Sequence, residues 1–142
     1  MTKRTRPGKK KVLIIEDDLD VSNILTVLLE GLEAQVFTAA DGHAGVAATL
    51  KEKPDLILVD LHLPGMNGLE VIRTLRATPG LGSLPIIVIT GNSTVEYIRE
   101  TARLGATDFL VKANVLSGAG LQRIQKYLQP KVRASKKIGP SR

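Results

Sequence analysis

Residues 55–70 have the sequence DLILVDLHLPGMNGLE, in which a short apolar run is followed by an aspartate, a loop and an amphipathic segment. The run Leu56–Val59 is short and entirely apolar, which is typical of a buried strand. Asp60 lies directly after the end of this strand. The loop 63–68 contains a proline and two glycines, and apolar residues at 69, 72 and 75 then recur at helical spacing. This stretch therefore predicts a strand, a loop and a helix, with a carboxylate at the carboxyl end of the strand.

The same alternation extends in both directions from this unit. The other predicted strands are 12–15, 34–40, 86–90 and 107–112. The other predicted helices are one that begins at Asp18 or Asp20 and ends at Gly31, and those over 44–50, 94–104 and 116–128, the last weakened by Gly118 and Gly120. Alternating strands and helices predict an α/β fold, a doubly wound five-stranded parallel sheet with five helices, since parallel strands need crossover connections.

Polar residues follow four of the predicted strands and are candidates for a ligand site. They are Glu16 and Asp17 after the first strand, Asp60 after the third, Thr90 at the end of the fourth and Lys112 at the end of the fifth. In doubly wound folds, ligands bind beyond the carboxyl ends of the strands, where the strand order reverses. With the order 2-1-3-4-5, the acidic residues would share one hard cation, and clustered carboxylates suit Mg²⁺.

Each of these residues also has a purely structural interpretation, because the chain leaves the core at strand ends. The acids at 16–18 would be favoured by the dipole at a helix N-terminus. Lys112 would be a solvent-exposed residue beside the strand, and Thr90 would begin a turn. Other motifs are absent or misplaced: there is no P-loop, and Gly80-Leu81-Gly82 precedes a strand. His43 and His62 lack a second histidine at zinc-ligand spacing.

The charge is unevenly distributed along the 142 residues. Residues 1–11 hold six Lys or Arg and residues 130–142 hold five, with no acid in either segment. Of the 20 basic residues, nine remain in 12–129 against all 14 acids, a net charge of −5. We therefore predict a basic N-terminal extension at 1–11, an acidic domain at 12–129 and a basic C-terminal tail at 130–142, with both ends poorly packed.

Composition excludes several classes of protein. An apolar fraction of 43% with 24% charged residues is typical of a globular chain and excludes global disorder. The absence of cysteine excludes disulfide frameworks, thiolate nucleophiles and Cys-based zinc sites. The longest apolar runs have four residues, whereas a membrane span needs about 20, so we expect a cytoplasmic protein without a membrane span.

Four motifs together resemble those of a response-regulator receiver domain of the CheY-like family. They are VLIIEDD (12–18), DLILVDLHLPGMNGLE (55–70), PIIVITG (85–91) and GATDFLVK (105–112), in family order and with family-like spacing. The resemblance covers about 12–129 and implies a flavodoxin-like fold. Because no output domain follows Gln129, it also implies a stand-alone receiver.

The resemblance implies a role for each candidate residue. Asp60 would accept a phosphoryl group from a histidine kinase or a histidine phosphotransfer protein, with Thr90 hydrogen-bonded to one phosphate oxygen and Lys112 paired with another. Glu16, Asp17, Asp60 and the backbone carbonyl of His62 would hold Mg²⁺. Such a chain is a signalling phosphoacceptor and not an enzyme in the usual sense, although it would assist its own phosphorylation and dephosphorylation.

The resemblance also implies an output surface, formed by the helix 94–104, the fifth strand and the last helix, that binds a downstream protein. Phe109 would turn inward on phosphorylation or would be a plain core residue, and Tyr97 would be a contact anchor or a plain surface residue. One departure is Ala113, where the family usually has a proline, often after a cis bond. Since a cis bond without proline costs about 2.5–4 kcal/mol, we predict a trans Lys112–Ala113 bond and an adjusted loop.

Two other functions are compatible with the sequence. The first is a protein-interaction module that works without phosphorylation, against which the intact acceptor set argues. The second is a binder of nucleic acid or of anionic surfaces through the basic ends, since phosphate contacts need little more than Lys and Arg. Aromatic residues make up only 3%, which leaves little for base stacking, and the acidic domain would oppose binding, so direct nucleic-acid binding is not expected.

Overall fold

A computed structural model describes residues 9–91 and 94–129. The described part of the chain contains eleven elements, and strands alternate with helices except at its C-terminal end, where two helices follow one another. They are β1 (Lys11–Ile15), α1 (Leu19–Glu30), β2 (Gln35–Ala39), α2 (Gly42–Glu52), β3 (Leu56–Val59), α3 (Gly68–Ala77), β4 (Ile86–Thr90), α4 (Val95–Arg103), β5 (Asp108–Val111), α5 (Lys112–Leu116) and α6 (Leu121–Gln125).

The five strands form one parallel sheet in the order β2-β1-β3-β4-β5, as predicted. β1 lies between β2 and β3, with Ile15 opposite both Ala39 and Val59. This arrangement places the strand order reversal between β1 and β3. The residues that follow those two strands, Glu16 and Asp60, therefore emerge side by side at the carboxyl edge of the sheet.

The sheet is buried on both faces because alternate strand residues point to opposite sides. One apolar cluster contains Val12 and Ile14 of β1 and packs against α1, α5 and α6. The other contains Leu13 and Ile15 and packs against α2, α3 and α4. Near-continuous β-branched runs are what such a doubly covered sheet requires, and the exposure of β1 after Lys11 and of all β4 side chains is close to zero.

Side chains at the N-caps start four of the helices. Asp18 accepts backbone N–H bonds at the start of α1, and Asp41 does so for α2. Asn67 forms a capping box with Glu70 at the start of α3, and Thr94 caps α4. These bonds satisfy N–H groups that a helix leaves unpaired at its first turn. They therefore fix where each loop at the carboxyl edge ends and its helix begins.

The C-terminal helix differs from the prediction. Instead of one helix over 116–128, the described residues form two short helices, α5 and α6, which brings the helix number to six. Gly118 has φ of +92°, a left-handed conformation that ends α5 and that glycine adopts without steric cost. α5 also begins at Lys112 directly after β5, so the predicted loop after the lysine and the predicted strand end at 112 are both wrong.

The Lys112–Ala113 bond is trans, as predicted, since the described residues contain no cis peptide bond. Of the basic ends, the structure describes Lys9, Lys10 and Lys11, the last of which belongs to β1. Residues 1–8 and 130–142 lie outside the described residues, so their packing stays a prediction. Among the helices that the structure describes, none is long and apolar enough to span a bilayer.

Candidate functional site

The predicted site residues meet at the carboxyl edge of the sheet. Glu16 follows β1, Asp60 follows β3, Thr90 is the last residue of β4 and Lys112 follows β5. Because the four strands are parallel and adjacent in space, residues that are up to 96 positions apart in sequence reach one place. Asp17, next to Glu16, completes the set.

Lys112 lies between two carboxylates. Its Nζ is 3.0 Å from Oδ2 of Asp60 and 3.1 Å from Oε1 of Glu16. The carboxylates are almost buried, with side-chain exposures of 6% for Asp60 and 3% for Glu16, whereas that of Lys112 is 22%. One ammonium group therefore pairs with two acids that have little access to water, and it is the most exposed of the three groups.

The loop after β3 holds Asp60 by main-chain contacts. The N–H of Asp60 donates to the carbonyl of Ile15 at 3.0 Å, and the N–H of His62 donates to Oδ1 of Asp60 at 3.2 Å. A Cβ atom at Gly68 would lie 2.4 Å from the carbonyl oxygen of Asp60, so only glycine allows this approach. Gly68 therefore helps to position the backbone of Asp60 by close packing against it.

Glu16 has a raised pKa. Burial is the main cause because it disfavours the charged form, and the nearby charge of Asp60 acts in the same direction. The N–H of Asp18, which donates to Oε2 of Glu16 at 3.1 Å, and the Lys112 ammonium group act in the opposite direction. The net shift is upward, so burial and the charge of Asp60 outweigh these two partners.

The pKa of Lys112 is also raised. Burial on its own lowers it, but the hydrogen bonds and charges of Asp60 and Glu16 together outweigh burial. The ammonium form is therefore stabilised by the two acids that it bridges. The ion pair between Lys112 and Glu16 was not among the sequence predictions, because strand order brings the residues near each other without specifying which side chains pair.

Three carboxylates form a candidate divalent-metal site. Oxygen atoms of Glu16, Asp17 and Asp60 lie within 4.8 Å of one another, and Asp17 is exposed. Clustered carboxylate oxygens with room for water are the donors that Mg²⁺ prefers, so the residues fit this ion. The ligand role predicted for the carbonyl of His62 stays a prediction, since the contacts of His62 described above involve its N–H.

Thr90 and Gly91 have different environments. Thr90 is fully buried at the end of β4. A Cβ atom at Gly91 would meet no heavy atom within 4 Å, so the space beside Gly91 is open. Thr90 is a candidate phosphate ligand because it ends β4, the strand that lies beside β3 in the sheet.

An aromatic contact at the edge of the site was not predicted. The rings of His62 and Tyr97 meet edge to face, with centroids 5.8 Å apart and an interplanar angle of 79°. Both side chains, together with Asp17, line a cleft of about 490 Å³ beside Asp60. Tyr97 is half-buried against the apolar cluster of α2–α4, so it is not a plain surface residue. Phe109 is half-buried against the same cluster, and its two predicted roles both stay predictions.

The sequence matches one protein family over most of its length. The family model described as the response regulator receiver domain matches residues 12–118. The chain is 34% identical over 104 residues to the DNA-binding response regulator MtrA of Mycobacterium tuberculosis strain H37Rv, covering 73% of this chain and 44% of MtrA. It is also 34% identical over 102 residues to protein PilH of Pseudomonas aeruginosa, covering 72% and 84%. The chain thus spans less than half the length of the MtrA relatives.

Solved structures share the same fold. A response regulator structure from Chloroflexus aurantiacus superposes with a TM-score of 0.78 at 28% identity, covering 84% of this chain and 98% of that one. The receiver domain of the sensor histidine kinase PA1611 from Pseudomonas aeruginosa superposes with a TM-score of 0.75 at 27% identity, covering 84% and 98%. That structure has a magnesium ion coordinated in its active-site cleft.

Proposed function

Because the chain belongs to the response regulator receiver domain family, we propose that it is a signalling phosphoacceptor. In this proposal Asp60 receives a phosphoryl group from a histidine kinase or a histidine phosphotransfer protein in the cytoplasm. One observation carries the proposal: a nearly buried aspartate lies 3.0 Å from a lysine ammonium group and within 4.8 Å of two further carboxylates. A purely structural aspartate at a strand end would not require this arrangement.

The transfer is a displacement at phosphorus. A carboxylate oxygen of Asp60 forms a bond to the phosphorus atom of the phosphohistidine, the P–N bond breaks and its electron pair stays on the imidazole. The protein contributes position and charge compensation, which phosphoryl transfer mainly requires. The N–H of His62 keeps Oδ1 oriented, and Lys112 passes from Oδ2 of Asp60 to an oxygen of the arriving phosphoryl group.

Mg²⁺ fits the carboxylates of Glu16, Asp17 and Asp60, and when bound it would neutralise charge on the phosphoryl oxygens. Lys112 alone carries one positive charge against three acids, so the site has an excess of negative charge. A dianionic group would be repelled by this excess unless a divalent cation is present. The proposal therefore requires Mg²⁺ for the phosphorylation of Asp60.

The output surface follows from the same proposal. Phosphorylation at Asp60 would engage the Thr90 hydroxyl and alter the packing of Phe109 and Tyr97. These residues belong to α4 and β5, so the surface formed by α4, β5 and α5 is the proposed binding site of a downstream protein. The short α5 and the break before α6 change this surface from the single long helix that the sequence predicted.

Phosphorylation by a small acyl phosphate tests the acceptor directly. The wild-type chain incubated with acetyl phosphate and Mg²⁺ should give one shifted band in phosphate-affinity electrophoresis, and chelation of Mg²⁺ should abolish it. Asp60→Asn should give no shifted band. Asp20→Asn, which changes an exposed acid at the start of α1, is the matched control and should behave as wild type. Wild-type incorporation in the Asp60→Asn variant would refute the assignment.

A further inference from the structure

Two aromatic side chains meet beside the candidate acceptor. His62 follows Asp60 by two residues, and its ring lies edge to face with the ring of Tyr97, with the centroids 5.8 Å apart. Aromatic rings prefer this geometry to face-to-face stacking, and such a pair is stabilising beyond the area that it buries. The contact therefore joins the loop after β3 to the first turn of α4.

The two rings are held in different ways. Tyr97 is half-buried and packs against the apolar cluster of α2–α4, in the first turn of a helix that Thr94 caps. The side chain of His62 is exposed, whereas its backbone N–H donates to Oδ1 of Asp60 at 3.2 Å. An exposed side chain keeps its rotamer freedom unless a contact restricts it. Tyr97 is therefore the fixed member of the pair, and the position of the His62 ring depends on it.

The pair lies where a phosphoryl group on Asp60 would meet water. Both rings line the cleft of about 490 Å³ beside Asp60, which has room for several water molecules. Because the N–H of His62 contacts a carboxylate oxygen of Asp60, the His62 side chain begins next to any group bonded to that carboxylate. The cleft is therefore a path for water to the phosphoryl group, and the two rings lie along it.

Hydrolysis would end the phosphorylated state. The oxygen of a water molecule forms a bond to phosphorus, the bond from phosphorus to the Asp60 oxygen breaks, and its electron pair stays on the carboxylate. A proton of the water passes to solvent. The attacking and leaving oxygens must lie roughly in line, and side chains that exclude water suppress the hydrolysis of reactive intermediates. A ring held in this cleft therefore opposes the approach of water.

We infer that Tyr97 is a positioning residue that holds the His62 ring over phosphorylated Asp60 and thereby slows hydrolysis of the phosphoryl group. The inference rests on the proposed function and adds a control on how long the phosphate stays. The space beside Gly91 is open, so the ring pair slows the entry of water without preventing it. Because Tyr97 belongs to α4, which is part of the proposed output surface, the position of α4 would also affect the lifetime of the phosphate.

The half-life of the phosphorylated chain tests the inference. The full chain is phosphorylated with acetyl phosphate and Mg²⁺, separated from the donor by desalting and followed over time by phosphate-affinity electrophoresis. Tyr97→Ala and His62→Ala should each shorten the half-life by about two- to tenfold, the range expected if an aromatic pair of ordinary strength holds the ring. The double variant should decay no faster than the faster single variant, because the two rings act as one unit. Tyr97→Phe keeps the ring and should decay as wild type does.

Tyr127→Ala is the matched control. Tyr127 is also half-buried, but it packs against the other apolar cluster and lines a cleft with Lys10 and Pro85, which directly precede β1 and β4. This tyrosine therefore lies at the edge where the strands begin, opposite to Asp60. Its loss should lower the free energy of unfolding, as the loss of Tyr97 does, but should leave the half-life of the phosphate unchanged.

His62→Phe distinguishes a covering ring from a catalytic base, and both His62 variants keep the backbone N–H and carbonyl. If the ring acts by excluding water, the phenylalanine variant should keep the wild-type half-life. If the imidazole activates water, His62→Ala and His62→Phe should both lengthen the half-life, which would overturn the inference. Unchanged half-lives in Tyr97→Ala and His62→Ala, or equal shortening by Tyr127→Ala, would overturn it as well. A wild-type chain that takes up no phosphate would instead overturn the proposed function on which the inference rests.

Discussion

Nζ of Lys112 and Oδ2 of Asp60 are 3.0 Å apart although the residues are separated by 52 positions in sequence. The contact is possible because β5 ends at Val111 and α5 begins at Lys112 with no residue between them. The lysine is therefore fixed at its backbone by a strand on one side and a helix on the other. In the proposed function the same side chain moves from Asp60 to the phosphoryl group, so its contacts contribute to both stability and chemistry.

Replacing Lys112 by Met should destabilise the chain. The change leaves the nearly buried carboxylates of Asp60 and Glu16 without their shared cation, and the loss of a charged hydrogen bond costs about 2 kcal/mol. Urea denaturation in metal-free buffer measures the free energy of unfolding. Lys51→Met, at an exposed position of α2, is the control and should change it by less than about 0.5 kcal/mol. Equal effects of the two substitutions would contradict the ion-pair assignment.

The raised pKa of Glu16 predicts the direction of a pH effect. The folded chain binds this proton more tightly than the unfolded chain, whose pKa is near 4.5, so the stabilising contribution is complete below that pH and is lost as the pH rises through the folded pKa. The unfolding free energy of wild type relative to Glu16→Gln should therefore fall from acid toward neutral pH in metal-free buffer.

The control for this pH effect is the same titration with excess Mg²⁺. A divalent cation at the Glu16, Asp17 and Asp60 carboxylates favours the charged form of Glu16. The fall in the relative unfolding free energy with rising pH should therefore become smaller or reverse. A rise in the relative stability of wild type with pH, without metal, would show that the partners of Glu16 outweigh its burial.

Gly68→Ala should destabilise the chain by about 1–3 kcal/mol, because the new Cβ atom would lie 2.4 Å from the carbonyl oxygen of Asp60 and 2.7 Å from Cα of Leu61. Both neighbours are backbone atoms that cannot rotate away. Thermal or urea denaturation measures the effect, and phosphorylation by acetyl phosphate should also become slower. Gly82→Ala is the control, since nothing lies within 4 Å of its added Cβ atom. A stable Gly68→Ala variant with unchanged phosphorylation would show that the loop relaxes freely.

The sequence predicted the sheet better than the C-terminal helices, for a physical reason. The strands Leu56–Val59 and Ile86–Thr90 are bounded by polar or turn-forming residues, so their predicted and observed limits agree. The apolar residues of 116–128 fit one helix as well as two, and only the φ of Gly118 decides between these possibilities. Strand order was sufficient to bring Asp60 and Lys112 together.

Contacts between side chains at the edge of the candidate site could not be predicted from the sequence. The His62–Tyr97 ring contact depends on where α4 packs against the loop after β3, and no local pattern reports that distance. This contact comes from tertiary packing, whereas the strand ends alone predict that Asp17 and Asp60 lie close together, and the acceptor role of Asp60 is what the family resemblance implies.

Thr90→Ala should separate phosphorylation from the conformational response. Thr90 ends β4 opposite Val111, and two residues earlier Val88 lies opposite Phe109. A shift of the Thr90 hydroxyl toward phosphate would therefore be transmitted to Phe109 across the β4–β5 pair. Because a ligand shifts two conformations only by its differential interaction with them, loss of the hydroxyl should weaken the response without preventing chemistry at Asp60. The variant should accept phosphate, yet beryllofluoride should cause smaller NMR chemical-shift changes at Phe109 and Tyr97 than in wild type. Thr90→Ser, which keeps the hydroxyl, should retain the wild-type changes, and equally large changes in both variants would rule out this route.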